Sequence, residues 1–559
     1  MRQYLKVWIR ILCIILIVLG VFFRFSDLNK KVYWPDEFAT SLRVTGHTLG
    51  EAEFVQRQAI SDLDGRIVSA DDLQKYLFPP LKRGLLSNIT QSSADEPQLP
   101  PLYFTLTNLG VQWFGHSANV TRGISVLAGI LAFPCLFWLC LELFNSEIVG
   151  WIAVSLFAIS PFHMMYAQEA RPYSLWTTTI LLSSAVLLRA IRYRTRICWG
   201  LYSLCLALSF YTFLFSGFVA IGHGIYVLGI AGWRLNKTVK SYLLASTLGL
   251  IVFIPWLLSV ATNLRRVGGL TSWVWKSQGT SLLLIVQTWL LNLSHIFVDL
   301  SLDHNSKSFG DISFYSLLSY LSILLAGYSI FYLCKNTSRR IWLFALTLMV
   351  MPALALLIPD ILRNSKLSTV ARYSTPTYLG VQLAVAYLFA TLSIKGLSAL
   401  KWQFRLTRVL LAMTLSFSLL SCFVILQSKV WRNKVDQPEF LEIAQLVNQT
   451  SRPLVVSDDF GLAYFSYLVD SKVRFQLIDI QNDMGSNLEE SSSLIEISNS
   501  DQFQKIFLYN IDAFQPSKEL LESFKANPRY QLTLMIHKEL DPFLKVEVEL
   551  WQLEKRVIS

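Results

Sequence analysis

The residue types best suited to chemistry in this chain are two adjacent carboxylates, Asp36 and Glu37. They lie in the stretch Val32–Thr48 (VYWPDEFATSLRVTGHT), among aromatics and a proline, shortly after the first apolar segment. A carboxylate so placed can accept a proton from a hydroxyl as it attacks an electrophile, which is worth about 10²–10⁴-fold in rate. The plainer role is a polar cap at a membrane surface, and taken alone the pair fits it. Four arginines, Arg171, Arg265, Arg266 and Arg372, change the balance, because each falls at the edge of an apolar segment. Arginine stays charged and its planar fork matches phosphate oxygens, so arginines at a membrane edge are candidate ligands for an anion. For one such arginine, contact with a lipid headgroup is explanation enough. Four on the side that holds the carboxylates suggest a bound anion.

Two other constellations carry less. Asp62-Leu63-Asp64 has the spacing soluble nucleotide-sugar enzymes use for a metal, but no strand, glycine-rich turn and helix surround it. His295, Asp299, Asp303 and His304 would share a helix face at i, i+4 spacing. Such a set is more often an exposed interface face, so no metal ligand and no cofactor is expected. Divalent-metal dependence stays open.

The elements that must position these residues are apolar helices. The chain has 559 residues, 53% hydrophobic and 16% charged. Soluble domains carry about a quarter charged residues, so the composition indicates a polytopic α-helical membrane protein. The net charge of +11 is read as orienting the chain in the membrane, and nucleic acid is not expected as a partner. The seven cysteines show no zinc or disulfide spacing. Arg2, Lys6 and Arg10 precede an apolar run with no small-residue cleavage site, which reads as a retained first helix.

A span needs about 20 apolar residues. Leu5–Phe25, Gly123–Phe144, Ile148–Ala167, Ser174–Ile191, Ile197–Phe215, Gly217–Trp233, Ser241–Ala261, Ile312–Cys334, Ile341–Ile358, Tyr373–Ile394 and Val409–Leu426 qualify, about eleven in all. Pro100–Gly115 is short and is expected to lie in the outer interface, and Ser281–Leu300 is ambiguous. If neither crosses, four basic clusters share the side of the N-terminus. They are Arg189 to Arg196; Arg234, Lys237 and Lys240; Lys335, Arg339 and Arg340; and Lys395 to Arg408. That matches the positive-inside rule and sets the N-terminus in the cytoplasm of a plasma (inner) membrane. Asp36, Glu37, Glu96 and Gln168–Tyr173 (QEARPY) then face outward. Residues 431–559 change to mixed composition, with strands expected at Pro453–Ser457, Val473–Asp479, Lys505–Asn510, Tyr530–Ile536 and Leu544–Leu553. Helices are expected at Pro438–Asn448, Gly461–Leu468 and Ser517–Lys525. The division is a membrane domain, 1–430, and a small extracytoplasmic α/β domain, 431–559.

WPDEFATSLR after the first helix, PQLPPLYF, QEARPY and ARYSTP at a late span together resemble the GT-C membrane glycosyltransferases. The branch is that of the protein O-mannosyltransferases, the aminoarabinose transferase and Rgt-like bacterial enzymes. The resemblance covers roughly residues 1–426. It implies a GT-C-like fold with outer juxtamembrane helices and an inverting sugar transfer in the cell envelope. The donor would be a polyprenyl-phosphate-linked sugar held among membrane lipids, and the acceptor a lipid, glycan or protein. By that resemblance Asp36 matches the base, with Glu37 beside it. Glu169 and Arg171 match the second outer loop, and Arg372 matches an arginine on the lipid phosphate. Tyr103, Gln168, Tyr173 and Tyr373 fall inside the same motifs. Many members carry a histidine before Pro-Pro-Leu-Tyr; here Gln98 and Leu99 precede Pro100 and Pro101.

The chemistry agrees. Direct inversion needs one base and one clamp on the departing phosphate; a retaining double displacement would need a second carboxylate as nucleophile. If the Asp36 stretch is extended, successive side chains alternate faces, which favours Asp36 as the single base and leaves open which of the two enters. A lipid transporter or flippase would also explain spans and arginines, but it predicts mid-membrane charges and internal repeats.

Overall fold

The computed structural model describes residues 2–275, 281–300, 314–395, 401–431, 434, 437–479, 497, 499–511, 518–541 and 546–556. The chain divides into two compact units, each made of two stretches: 1–28 with 85–427, and 29–84 with 428–559.

The first unit is helical. Among the described residues, eight helices are long and apolar enough to cross a membrane: Val7–Phe25, Ala118–Phe144, Tyr173–Tyr193, Lys237–Thr262, Leu317–Asn336, Arg339–Arg363, Ala371–Ser393 and Arg408–Gln427. A ninth is reached if Glu147–Ala158 and Pro161–Gln168, bent by 59°, count as one span. The protein is integral to a membrane. The expected straight span Ile148–Ala167 is therefore broken, because Pro161 has no N–H to give and its ring excludes the preceding turn, so a new helix starts there. Two other expected spans are short: Arg196–Thr212 has 17 residues and Ser216–Ile230 has 15. At ~1.5 Å per residue neither reaches about 30 Å. Leu102–Phe114 and Leu282–Ser294, 13 residues each, occupy the two segments whose crossing was in doubt.

Burial separates centre from rim. The apolar window of Tyr173–Tyr193 is 89% buried and that of Lys237–Thr262 only 22%. The central helix is also the more polar, carrying buried Thr177, Thr178, Thr179, Ser183 and Ser184. A rim helix must present hydrocarbon to lipid, whereas a central one can turn hydroxyls onto its own carbonyls, as Thr177 Oγ1 does to Tyr173 O at 2.9 Å. Gly20 marks the closest approach: a methyl there would run into Ala158 O, so the helices Arg2–Phe25 and Glu147–Ala158 meet backbone to backbone.

The second unit is a six-stranded sheet in the order β1-β3-β2-β4-β6-β5. The strands are β1 Ile67–Val68, β2 Pro453–Ser457, β3 Arg474–Leu477, β4 Lys505–Ile511, β5 Tyr530–Asp541 and β6 Val546–Lys555. β2 pairs in parallel with β3 and β4, and β6 runs antiparallel between β4 and β5. All five expected C-terminal strands form; β5 runs five residues beyond Ile536, and positions 544 and 545 of the last lie outside the described residues. Helices form at Gln437–Asn448, Gly461–Phe465 and Lys518–Ala526; Ser517 lies outside the described residues.

The cut at 430 does not describe these units, because the long loop after the first helix folds with the C-terminal residues. β1 pairs antiparallel with β3, Ile67 opposite Gln476. Trp431 is fully buried and its indole donates to Val32 O at 2.8 Å, while Val32 N donates to Lys429 O at 2.9 Å. Phe38 packs against Phe460 and Tyr464. Asp62 and Asp64 have structural work here: Asp64 Oδ1 accepts from Asp479 N at 2.9 Å, and Asp62 accepts from the Tyr76 hydroxyl at 3.3 Å.

Trp431→Ala removes a fully buried ring and its hydrogen bond, so it is expected to destabilise this unit by about 3–5 kcal/mol. Trp431→Phe, keeping most of the volume, is expected to cost less. Thermal unfolding of the purified full chain, with proteolysis of 29–84 as the local probe, checks both; equal losses would mean that the ring volume is not what matters.

Candidate functional site

In the first unit the candidate residues gather at two places. One is the turn after the broken helix. Gln168 ends the helix Pro161–Gln168, and its side-chain nitrogen donates to Phe23 O at 2.8 Å and Ser26 O at 3.1 Å. Glu169 is extended, and Arg171 N returns to Glu169 O at 2.7 Å, a tight turn held open for Pro172, which caps the helix Tyr173–Tyr193. Both charged side chains are inside the protein, Glu169 at 0% and Arg171 at 7% exposure. Ser125 Oγ donates to Arg171 O at 3.4 Å and shares a 2.7 Å hydrogen bond with the Tyr103 hydroxyl. Tyr103 thus reaches the turn through Ser125. Buried ionisable groups in a membrane protein are costly, so their presence in this turn points to a site.

The other place is Arg372. The preceding loop folds onto the buried carboxylate of Asp360, which accepts from Leu367 N and Ser368 N at 2.8 Å each. A short 3₁₀ turn, Ala371–Ser374, then carries Arg372. Its guanidinium lies 5.5 Å from the Tyr173 ring, 5.5 Å from Tyr373 and 5.9 Å from Trp273. Lys366 Nζ lies 5.7 Å from that same Trp273 ring. Tyr373, Trp273, Phe215 and Phe218 pack on a core of Val274, Leu356 and Leu367. Aromatic faces hold a cation without consuming its in-plane N–H groups, so two cations beside an apolar aromatic wall can receive an anionic head with an apolar tail. Trp273 and Lys366 were not singled out from the sequence; their only signal is type, aromatic and basic residues near span ends.

Arg265 and Arg266 stand apart from this cluster's ring contacts. Both sit on the short helix Leu264–Leu270, and Arg265 is exposed. Arg266 forms an ion pair with Asp95 and donates from Nε to Asp95 O at 2.7 Å. That pair, with Trp256 Nε1 on Pro97 O at 2.9 Å, fastens residues 95–97 to Lys237–Thr262 and the short helix following it. Glu96 is buried beside it. Of the possible metal set, His295 and Asp299 are described, with Asp299 N donating to Ser421 Oγ at 2.9 Å; Asp303 and His304 lie outside the described residues.

In the second unit, Asp36 and Glu37 begin a helix, Pro35–Thr45. The extended stretch considered above is therefore replaced by a helical first turn, because Pro35 has its φ set for the first helical position. Glu37 is fully buried, and its carboxylate reaches back to Trp34 N at 3.4 Å, capping the helix start. Asp36 keeps partial exposure, and Thr40 Oγ1 donates to its carbonyl at 3.0 Å. The carboxylates are thus distinguished by depth and by the cap. Lys434, buried, sits 3.4 Å from the centre of the Trp34 ring, a contact between residues 400 apart that no local pattern announces.

Residues 98–258 match the family described as dolichyl-phosphate-mannose-protein mannosyltransferase. Two relatives carry the name undecaprenyl phosphate-alpha-4-amino-4-deoxy-L-arabinose arabinosyl transferase. That of Pectobacterium atrosepticum is 29% identical over 170 residues, covering 29% of this chain and 30% of its own length. That of Pectobacterium carotovorum is 28% identical over the same shares. The chain thus spans less than a third of the curated relatives it matches. A crystal structure of ArnT from Cupriavidus metallidurans bound to undecaprenyl phosphate is 12% identical, with a TM-score of 0.49 over 97% of each chain. The matched segment holds Tyr103, the broken helix and the turn Gln168–Tyr173.

Proposed function

We propose that the protein is an inverting glycosyltransferase that moves a sugar from a polyprenyl-phosphate donor to a lipid, glycan or protein acceptor. The observation that carries this reading is the Arg372 cluster: a guanidinium flanked by Tyr173, Tyr373 and Trp273, with Lys366 on the same indole. A lipid phosphate needs fixed cations for its head and apolar surface for its tail, and both are present. The names of the relatives support the same donor class.

In this reading Asp36 accepts the proton of the acceptor hydroxyl as the new C–O bond forms at the sugar's anomeric carbon. The bond from that carbon to the phosphate oxygen breaks, and the polyprenyl phosphate leaves with the electron pair. Arg372 stabilises the departing charge, with Arg171 assigned to the same task. Arg266, already paired with Asp95, is assigned to structure. Glu37 supports Asp36 from the helix cap. The N-terminus is assigned to the cytoplasm of a plasma (inner) membrane, with residues 29–84 and 428–559 on the outer side, where a lipid-carried sugar is available and nucleotide sugars are not.

Asp36→Asn keeps the shape and removes the proton acceptor. Transfer is expected to fall at least about 10²-fold with donor binding retained, measured with purified enzyme and polyprenyl-phosphate-sugar. Near-normal turnover would end the assignment of the base.

Arg372→Ala is expected to lower kcat/KM for that donor about 10- to 100-fold, as loss of a charge-assisted contact worth roughly 1.5–3 kcal/mol, and Arg372→Lys to restore it in part. Transfer from the nucleotide sugar in place of the lipid-linked one would refute the donor class. Lipid translocation without transfer would instead support a flippase.

Orientation is checked with single cysteines at Thr195 and Thr262, both exposed, in a background without native cysteines. An impermeant thiol reagent is expected to label Thr262→Cys in intact cells and Thr195→Cys only after permeabilisation. The opposite pattern would invert the topology.

A further inference from the structure

The break between Glu147–Ala158 and Pro161–Gln168 frees backbone carbonyls inside the membrane-embedded unit, where water is not at hand to satisfy them. Each carbonyl from 157 to 160 finds a donor. Arg24, completely buried in the first helix, donates to Phe157 O at 3.1 Å and to Ala158 O, and to Gly20 O of its own helix at 2.8 Å. Its guanidinium also lies 5.1 Å from the Phe133 ring and 5.8 Å from Phe157. Cys422 Sγ donates to Ile159 O at 3.0 Å, and Met164 N takes Ser160 O at 2.9 Å. At the other end of the short helix the relation is reversed. Gln168 donates across to Phe23 O and Ser26 O, the carbonyls that end the first helix. The end of Glu147–Ala158 is therefore capped by Arg24 of the first helix, and the end of the first helix by Gln168 of Pro161–Gln168.

We infer that Arg24 is a positioning residue: by capping the broken helix it sets the direction of Pro161–Gln168 and so places Glu169 and Arg171. Its effect on catalysis rests on the function proposed above. The chemistry favours arginine specifically. Two adjacent carbonyls of one helix end must be met at once, which a planar fork does and a single ammonium does not. Gly20 is part of the device, since a methyl there would occupy the line between the first helix and Ala158 O. Arg24 donates to the carbonyls before Pro161, so its influence on the turn passes through eight residues of helix.

The test uses the full chain in lipid nanodiscs, as wild type, Arg24→Lys and Gln168→Leu. Gly222→Ala serves as a control for general loosening, because its methyl would press on Thr347 O at 2.9 Å in a different helix pair. Hydrogen exchange over 159–173 is expected to quicken in Arg24→Lys and Gln168→Leu but not in Gly222→Ala. Arg24→Lys is also expected to lower kcat/KM about 10-fold per folded enzyme, since small displacements of a positioned group cost that much. Unchanged exchange over 159–173 in Arg24→Lys overturns the inference whatever the activity. Quickened exchange with wild-type kcat/KM also overturns it, because Arg24 would then be structural only. Should Arg24→Lys not fold, Gln168→Leu carries the same two readouts from the other end of the device. If wild type transfers no sugar, the proposed function falls, and the exchange arm alone still decides whether Arg24 sets the turn.

Discussion

A backbone carbonyl buried in hydrocarbon must be hydrogen-bonded, and in this protein that requirement falls hardest on one spot. The helix from Glu147 stops at Ala158 and restarts at Pro161 with a 59° bend. Without partners the freed groups would each cost several kcal/mol. The fold meets this by drawing two separate parts of the chain to the break, Arg24 from the first helix and Cys422 from the helix Arg408–Gln427, as donors to its carbonyls. The bend and its donors are thus one structure. The turn that follows, with two buried charges, depends on them.

Arg372 illustrates a second economy of means. Three aromatic rings, Tyr173, Tyr373 and Trp273, lie 5.5, 5.5 and 5.9 Å from its guanidinium, and such faces attract a cation through the ring quadrupole. Arg266 shows the contrast: locked to Asp95, it ties a loop to a helix. Similar residues in similar membrane-edge positions thus differ in the neighbours that hold them.

The second unit depends on a different constraint, the pairing of a sheet edge. β3 would be an edge strand, with a row of unpaired backbone groups, were it not covered by β1 from the loop after the first helix. That pairing commits 29–84 to the C-terminal residues and leaves Asp36 on a short helix inside that unit rather than on an unattached loop.

Composition and apolar run length determined by themselves that this chain lives in a membrane, where most helices fall, and that residues beyond about 430 form strands and helices. Those properties are local, since twenty apolar residues in a row or an alternation over six are present whether or not the rest of the chain is folded. The acidic pair and the arginines were legible for the same reason: residue type alone fixes what a carboxylate or guanidinium can do. What only the tertiary structure decided were the relations across distance. Trp273 joins Arg372 and Lys366 from a segment far away in sequence, Lys434 lies over Trp34, β1 pairs with β3, and Arg24 caps a helix more than 130 residues away. Even Glu37, next to Asp36 in sequence, was separated from it only when Pro35 proved to open a helix and the cap drew its carboxylate inward. Each of these depends on which backbone groups lack partners once the helices pack, and that is a property of the assembled fold, not of any segment of it.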